Sequence, residues 1–101
     1  MRMLLQVKFP HEHFNAAVRD GTIGGKLNRI IAEAKPEAIY FTEFAGRRSA
    51  IMVVDVPDAT KIPMYAEPWF LTFNAEVEFH PVMTPDDLQR AGLDVLGKKW
   101  A

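Results

Sequence analysis

The segment SAIMVVDV, residues 49–56, decides the fold because it is apolar on both sides of an extended chain. Its apolar residues form two alternating sets, Ala50, Met52 and Val54 on one side and Ile51 and Val53 on the other. Successive side chains of a strand point to opposite faces of its sheet. We therefore expect this strand at the centre of a sheet that is covered on both faces.

Three further segments predict strands around this one. Residues 1–9 (MRMLLQVKF) and residues 75–83 (AEVEFHPVM) alternate with period two. Residues 37–44 (EAIYFTEF) are rich in aromatic and β-favouring residues. The following AGRR predicts a hairpin turn around Gly46, so this strand and the central one should pair antiparallel.

Between the strands, helical spacing predicts two layers, each in pieces. HEHFNAAVRD (11–20) suits about two helical turns, GTIGG (21–25) interrupts it, and KLNRIIAEAK (26–35) resumes an apolar stripe. The second layer, residues 57–73, contains Pro63 and Pro68, so we expect it to be broken or short-turned.

A short terminal helix is predicted over DDLQRAGLDVLG, with the KKWA sequence trailing from it. Thr84 suits the N-cap and Pro85 the first helical position. Asp86 and Asp87 would lie at the positive end of the helix dipole.

The order of elements is strand, helix, strand, strand, helix, strand and then an extra helix. That order predicts an α+β fold of the ferredoxin-like, split βαβ type, with the helices on one face of a four-stranded antiparallel sheet. The 101 residues, 49% of them apolar, suit a single domain over 1–101.

In such a fold one sheet face has no helices. Taking the more apolar set of each strand as helix-facing leaves a mixed surface: Leu4, Gln6 and Lys8; either Tyr40 and Thr42 or Ile39, Phe41 and Glu43; Ile51, Val53 and Asp55; and Glu76, Glu78, His80 and Val82. Exposed aliphatic patches of this kind mark interfaces. We therefore predict a homodimer in which a second copy packs sheet to sheet.

Composition excludes several classes of function. The net charge is −1, and twelve scattered Lys and Arg are balanced by thirteen acids, so no nucleic-acid partner is expected. No segment reaches the ~20 apolar residues that span a bilayer, so no membrane association is expected. Cysteine is absent, which excludes thiolate chemistry and is typical of a reducing, cytoplasmic location.

Two short motifs suggest ligands, and both are weak. HEH at 11–13 has two histidines one residue apart, but at a helix start their side chains diverge, so we predict no metal site. DGTIGGK at 20–26 lacks the first glycine and the Ser or Thr of a phosphate loop. A helix break is the simpler interpretation, and no cofactor is predicted.

The candidate site therefore consists of ionisable and aromatic residues near the sheet. His80 is the candidate acid/base, with a ligand contacted by Tyr40, Glu43, Trp69, Phe70, Asn74 and Glu78. One hypothesis is an enzyme that holds a small apolar or aromatic molecule between sheet and helices. A non-catalytic dimeric binding or stress-related protein with a filled interface is the alternative, and a haem or metal protein is a third; whether the chain is an enzyme stays open.

The sequence from residue 37 to residue 100 resembles a family of short bacterial proteins of unknown function. The likeness lies in YFTE, GRR, VVD, IP, AEPWF and FNAEVEFHPVMTPDDL, with a weaker match at FNAAVRDG. That family is similar to the dimeric α/β-barrel superfamily, which includes cofactor-free monooxygenases, muconolactone isomerases and stress-responsive barrels. The resemblance implies a ferredoxin-like fold and a homodimer, and it carries over no catalytic residue.

Overall fold

The computed structural model describes residues 1–101, which form four strands and five helices. Their bounds in chain order are β1 (Arg2–Lys8), α1 (His11–Asp20), α2 (Ile23–Ala34), β2 (Ala38–Phe44), β3 (Arg47–Asp55), a 3₁₀ turn (Ala59–Lys61), α3 (Ile62–Phe73), β4 (Glu76–Pro81), α4 (Pro85–Arg90) and α5 (Leu93–Lys99). No helix combines the length and the apolar character that a membrane span requires.

The strands form one antiparallel sheet in the order β2-β3-β1-β4. This is the strand order of the ferredoxin-like, split βαβ fold, so the predicted fold class is confirmed. The sheet stays open and does not close into a barrel. Strand β3 pairs with both β2 and β1 and is therefore a central strand, but within a single chain the helices cover only the face that carries Ala50, Met52 and Val54.

The core lies between the sheet and the layer made by α1, α2 and α3. Phe9, Trp69 and Phe73 are fully buried and pack edge to face or stacked, with ring centroids 5.2–6.3 Å apart. Aromatic pairs at such distances contribute about 0.5–1.5 kcal/mol beyond the burial of their area. The interior is therefore filled at the centre of the sheet.

The first helical layer breaks at a different point from the predicted one. Helix α2 begins at Ile23, so Gly24 and Gly25 belong to the helix, and the break is confined to Gly21 and Thr22. Gly21 adopts a left-handed conformation (φ 81°) that closes α1. Asp20 accepts hydrogen bonds from the Thr22 hydroxyl and N–H, which lower the pKa of its carboxyl group.

The second layer is one helix, which corrects the prediction of a broken segment. Pro63 lies in the first turn of α3, where a missing N–H costs nothing, and Pro68 is accommodated inside the continuous helix Ile62–Phe73. Asp58 caps the preceding 3₁₀ turn by accepting from the Thr60 N–H.

The C-terminal segment begins as predicted and continues differently. Thr84 and Asp87 form a capping box, in which each side chain accepts the other's backbone N–H (3.0 and 3.1 Å). Gly92, at φ 73°, then separates two short helices where one was expected. Lys98 and Lys99 belong to α5 and do not form a tail.

Candidate functional site

The strand register settles which residues lie on the sheet face without helices. Partners across a sheet share a face, and Tyr40 pairs with Ile51, which lies opposite the helix-facing Ala50 and Met52. The open alternative for β2 is thereby resolved: Tyr40 and Thr42 lie on the uncovered face, while Ile39, Phe41 and Glu43 lie on the helix side. We call the uncovered surface the bare face: Arg2, Leu4, Gln6, Lys8, Ala38, Tyr40, Thr42, Ile51, Val53, Asp55, Glu76, Glu78 and His80.

The bare face has an apolar centre and an ionisable edge. One row of neighbours across the sheet runs Ala38, Val53, Leu4 and His80, and the next runs Tyr40, Ile51, Gln6 and Glu78. The two rows are aliphatic or aromatic over β2, β3 and part of β1. They become charged at β4, which is an edge strand.

His80 and Glu78 are two predicted site residues whose side chains are in contact. The His80 Nε2 atom lies 3.3 Å from a Glu78 carboxylate oxygen, and the two side chains are 52% and 56% exposed. An imidazole beside a carboxylate can exchange a proton with a ligand. In a single chain this pair is open to water, so any dry pocket around it needs further cover.

Tyr40 lies on the same face as that pair but at the opposite edge. Strands β3 and β1 separate β2 from β4, which puts the Tyr40 backbone about 14 Å from Glu78 in the same row, at about 4.8 Å per strand, and farther from His80 in the next row. One small molecule on the bare face of a single chain would not reach both residues.

The remaining predicted site residues lie on the helix side or hold turns. Trp69 is fully buried, and its indole N–H has no hydrogen-bond partner. Phe70 is partly exposed on α3. Asn74 closes α3 in a left-handed conformation (φ 53°), and its N–H donates to the Phe70 carbonyl at 2.9 Å. The Glu43 carboxylate accepts the Gly46 N–H at 2.8 Å and thereby fixes the β2–β3 hairpin.

A cleft of about 420 Å³ lies beside β2 and β3, against α1 and α2, and none of the predicted ligand contacts lines it. Its helix-side lining consists of Arg48 and four apolar residues, Phe9, Phe14, Leu27 and Phe41. Thr42 and Ser49, which the strand register assigns to the other face of the sheet, border it. Phe41 is on edge strand β2 and is 52% exposed, so it forms the open side of the cleft. We call this the β2 cleft.

Arg48 provides the positive charge of the β2 cleft. It follows the hairpin turn and is exposed, but its guanidinium group is held in place. It lies 4.6 Å from the centroid of the Phe14 ring and donates to the Asn15 side-chain oxygen at 2.7 Å. A cation over an aromatic face is stabilised by about 0.5–1 kcal/mol at an exposed site. The cleft therefore combines apolar walls with one oriented cation.

A second groove, of about 580 Å³, runs between α2 and α3. Its apolar residues include Met64 and Leu71, and its charged residues are Lys26, Arg29, Glu33 and Glu67. Two cations and two anions leave no dominant charge for a ligand. The groove also has no contact with any residue of the bare face.

Metal and family comparisons add no site. No group of three or more His, Asp or Glu side chains lies close enough together to hold a metal ion. His11 and His13 lie exposed in the first turn of α1. Neither a protein family model nor a curated protein matches the chain.

Proposed function

We propose that the protein binds a small apolar or aromatic molecule carrying a negative charge, and that the ligand occupies the β2 cleft. The observation that carries this proposal is the Arg48 guanidinium group, held over Phe14 at the mouth of an apolar cleft. Ligand sites in proteins are mostly apolar, with a few polar groups that fix the ligand's orientation. A volume of about 420 Å³ suits a ligand of about one or two rings.

We further propose that the working unit is a homodimer whose bare faces pack against each other. The support is the apolar centre of the bare face, formed by Leu4, Ile51 and Val53 with Ala38 and Tyr40. The resemblance to the dimeric α/β-barrel superfamily supports the same arrangement. A cytoplasmic location remains a prediction based on the absence of cysteine.

The proposal for His80 concerns a different side of the sheet. A ligand in the β2 cleft is separated from His80 by the sheet, so acid/base chemistry there would involve the bare face. The contact with Glu78 at 3.3 Å favours that role, and a His80→Ala variant tests it once a turnover is measured. Unchanged turnover would remove His80 from the chemistry.

The ligand proposal is tested with benzoate as the probe, followed by amide chemical shifts in ¹⁵N-labelled protein. We expect saturable shifts at residues 41–49, and their loss in Phe41→Ala. Tyr40→Ala is the matched control, because Tyr40 is the next residue on β2 and faces away from the cleft. Absence of shifts in the wild type would contradict the β2 cleft as the ligand site.

A further inference from the structure

The C-terminal arm, residues 84–101, extends away from the rest of the chain. The protein measures 60 Å along its longest axis, and its radius of gyration is 17.0 Å. A compact domain of about 100 residues has a radius of gyration of about 13 Å. A seven-residue strand is only about 24 Å long, so the sheet does not account for this length.

The arm is apolar and has no cover. No residue of α4 or α5 is buried, and neither helix packs extensively against another element. Five large apolar side chains of the arm are exposed: Leu88, Leu93, Val95, Leu96 and Trp100. A short helix in isolation is marginal in water, so helices of six and seven residues need packing to persist.

The apolar residues of α5 are concentrated on one side. Leu93, Leu96 and Trp100 follow the i, i+3, i+7 spacing of a helical stripe, whereas Val95 lies on the opposite side. Trp100 is 77% exposed, which is unusual for the largest apolar side chain. Such a stripe matches the way in which an amphipathic helix docks on an apolar surface.

The arm begins beside the bare face. The Val82 N–H donates to the Arg2 carbonyl at 3.1 Å. The hydrogen bond with Glu37 and the charge of Glu37 raise the pKa of the Arg2 guanidinium group, and the negative charge of Asp87 adds to them. The capping box at Thr84 fixes the direction in which α4 leaves the sheet. The chain therefore has two uncovered apolar surfaces, the arm and the bare face. They begin next to each other near Val82 and do not pack against each other.

We propose that the arm of one copy docks over the β4 edge of a second copy's bare face, beside the apolar centre where the two sheets pack together, with the Leu93, Leu96 and Trp100 stripe facing that edge. This inference rests on the homodimer proposed above and adds the exchange of arms to it. Glu76 and Glu78 lie exposed on the bare-face edge strand, and Lys98 and Lys99 lie in the last turn of α5. These two pairs carry opposite charges, with Lys8 opposite Glu76 on the sheet and Asp94 in the first turn of α5 as the neighbouring groups of the other sign.

The area of the sheet supports the same partner. Four strands about 4.8 Å apart and about 24 Å long present a face of about 450 Å² in plan. A stable interface buries about 800 Å² on each partner. The plan area is smaller than the accessible area of the same face, and two exchanged arms would add further buried area to it.

The first test uses two matched variants of α5 and sedimentation equilibrium. We expect Leu96→Glu to weaken dimerisation at least tenfold, because it puts a charge in the stripe. Val95→Glu, on the other side of the same helix, should leave the dimer constant within about twofold. Equal effects of the two variants, or no effect of either, would contradict a specific docking of the stripe.

The second test locates the arm. The chain has no cysteine, so Lys99→Cys accepts a single nitroxide label. The spin-labelled protein, which contains no ¹⁵N, is mixed with ¹⁵N-labelled wild-type protein. Only contacts between the two copies can then broaden amide signals. We expect broadening on β1 and β4, at Gln6 and Glu78 among others.

The outcomes separate the arm from the dimer. A dimeric mixture without broadening on β1 and β4 would overturn the exchange of arms and leave the homodimer in place. A monomeric wild type would overturn both. A further sample carries the nitroxide and ¹⁵N on the same chain. If broadening occurs only in that sample, the arm folds onto its own sheet, which also contradicts the inference.

Discussion

Replacing Arg48 by Gln removes the charge of the β2 cleft while keeping a polar side chain of similar reach. A hydrogen bond to a charged group contributes about 1.5–3 kcal/mol. At about 1.4 kcal/mol for each factor of ten, benzoate should bind roughly ten- to a hundredfold more weakly to Arg48→Gln than to the wild type. Benzyl alcohol has the same ring and no charge, so its affinity should change less than about threefold.

The variant should remain folded. It loses the contact with Phe14, about 0.5–1 kcal/mol, and one hydrogen bond to Asn15, about 1 kcal/mol. That sum is well below the stability of an ordinary domain, about 5–15 kcal/mol. Thermal unfolding followed by circular dichroism checks this before any affinity is compared.

Arg47→Gln is the matched control, because Arg47 precedes Arg48 on β3 and faces the other side of the sheet. The assay is titration calorimetry with benzoate and benzyl alcohol on the three proteins. Three results would refute the reasoning: unchanged benzoate affinity in Arg48→Gln, an equal loss for both ligands, or the same loss in Arg47→Gln. Each would mean that the oriented cation does not select a charged ligand.

Three further predictions concern the interface, the core and the arm. Val53→Lys puts an unpaired charge in the centre of the bare face and should shift sedimentation from dimer to monomer, whereas Leu71→Lys, on the exposed side of α3, should not. Trp69→Phe should change the urea-unfolding free energy by less than about 2 kcal/mol. The smaller ring leaves a cavity of roughly 40 Å³, which destabilises at about 24 cal/mol per Å³, but it also removes the buried, unpartnered indole N–H, which costs about 1–3 kcal/mol. A loss above about 3 kcal/mol would contradict this prediction. Hydrogen bonds with Thr84, from its backbone N–H first and its hydroxyl second, lower the pKa of the Asp87 carboxyl group below its ordinary value of 3.8. The helix cap should therefore be complete above pH 3.8 and weaken as the pH falls through the lowered pKa. An Asp87 carboxyl group that titrates at or above 3.8 by NMR would contradict this.

The sheet was predictable because its residues follow one rule consistently. The apolar character of β3 on both sides and the alternation in β1 and β4 place these strands without any tertiary information. Strand β2 was different, since Tyr40 and Phe41 are both aromatic and either could face the helices. Only its pairing with β3 decides between them.

The candidate site was less predictable because it depends on packing between distant segments. The β2 cleft is formed by Phe9, Phe14 and Leu27 from the first third of the chain with Phe41 from β2, and no local pattern links these residues. Polar residues chosen as ligand contacts can equally hold the backbone. Glu43 does so at its hairpin, where its carboxylate accepts the Gly46 N–H.

The helical pieces show a similar limit. Pro68 suggested a break in α3, yet the helix continues because burial of Trp69 and Phe73 outweighs one missing hydrogen bond. Gly92 divides the C-terminal segment in two, although its apolar spacing suggested one helix. In both segments the helical spacing of the apolar residues was correct. Whether the helix continues was decided by burial in α3 and by Gly92 in the C-terminal segment.

The proposed homodimer covers Leu4, Ile51 and Val53 of the bare face with a second chain, and the molar mass of the wild-type protein in solution tests that proposal most directly. Sedimentation equilibrium over micromolar concentrations should give about twice the chain mass of 11.4 kDa. A single species of 11.4 kDa that persists to millimolar concentration would contradict the account.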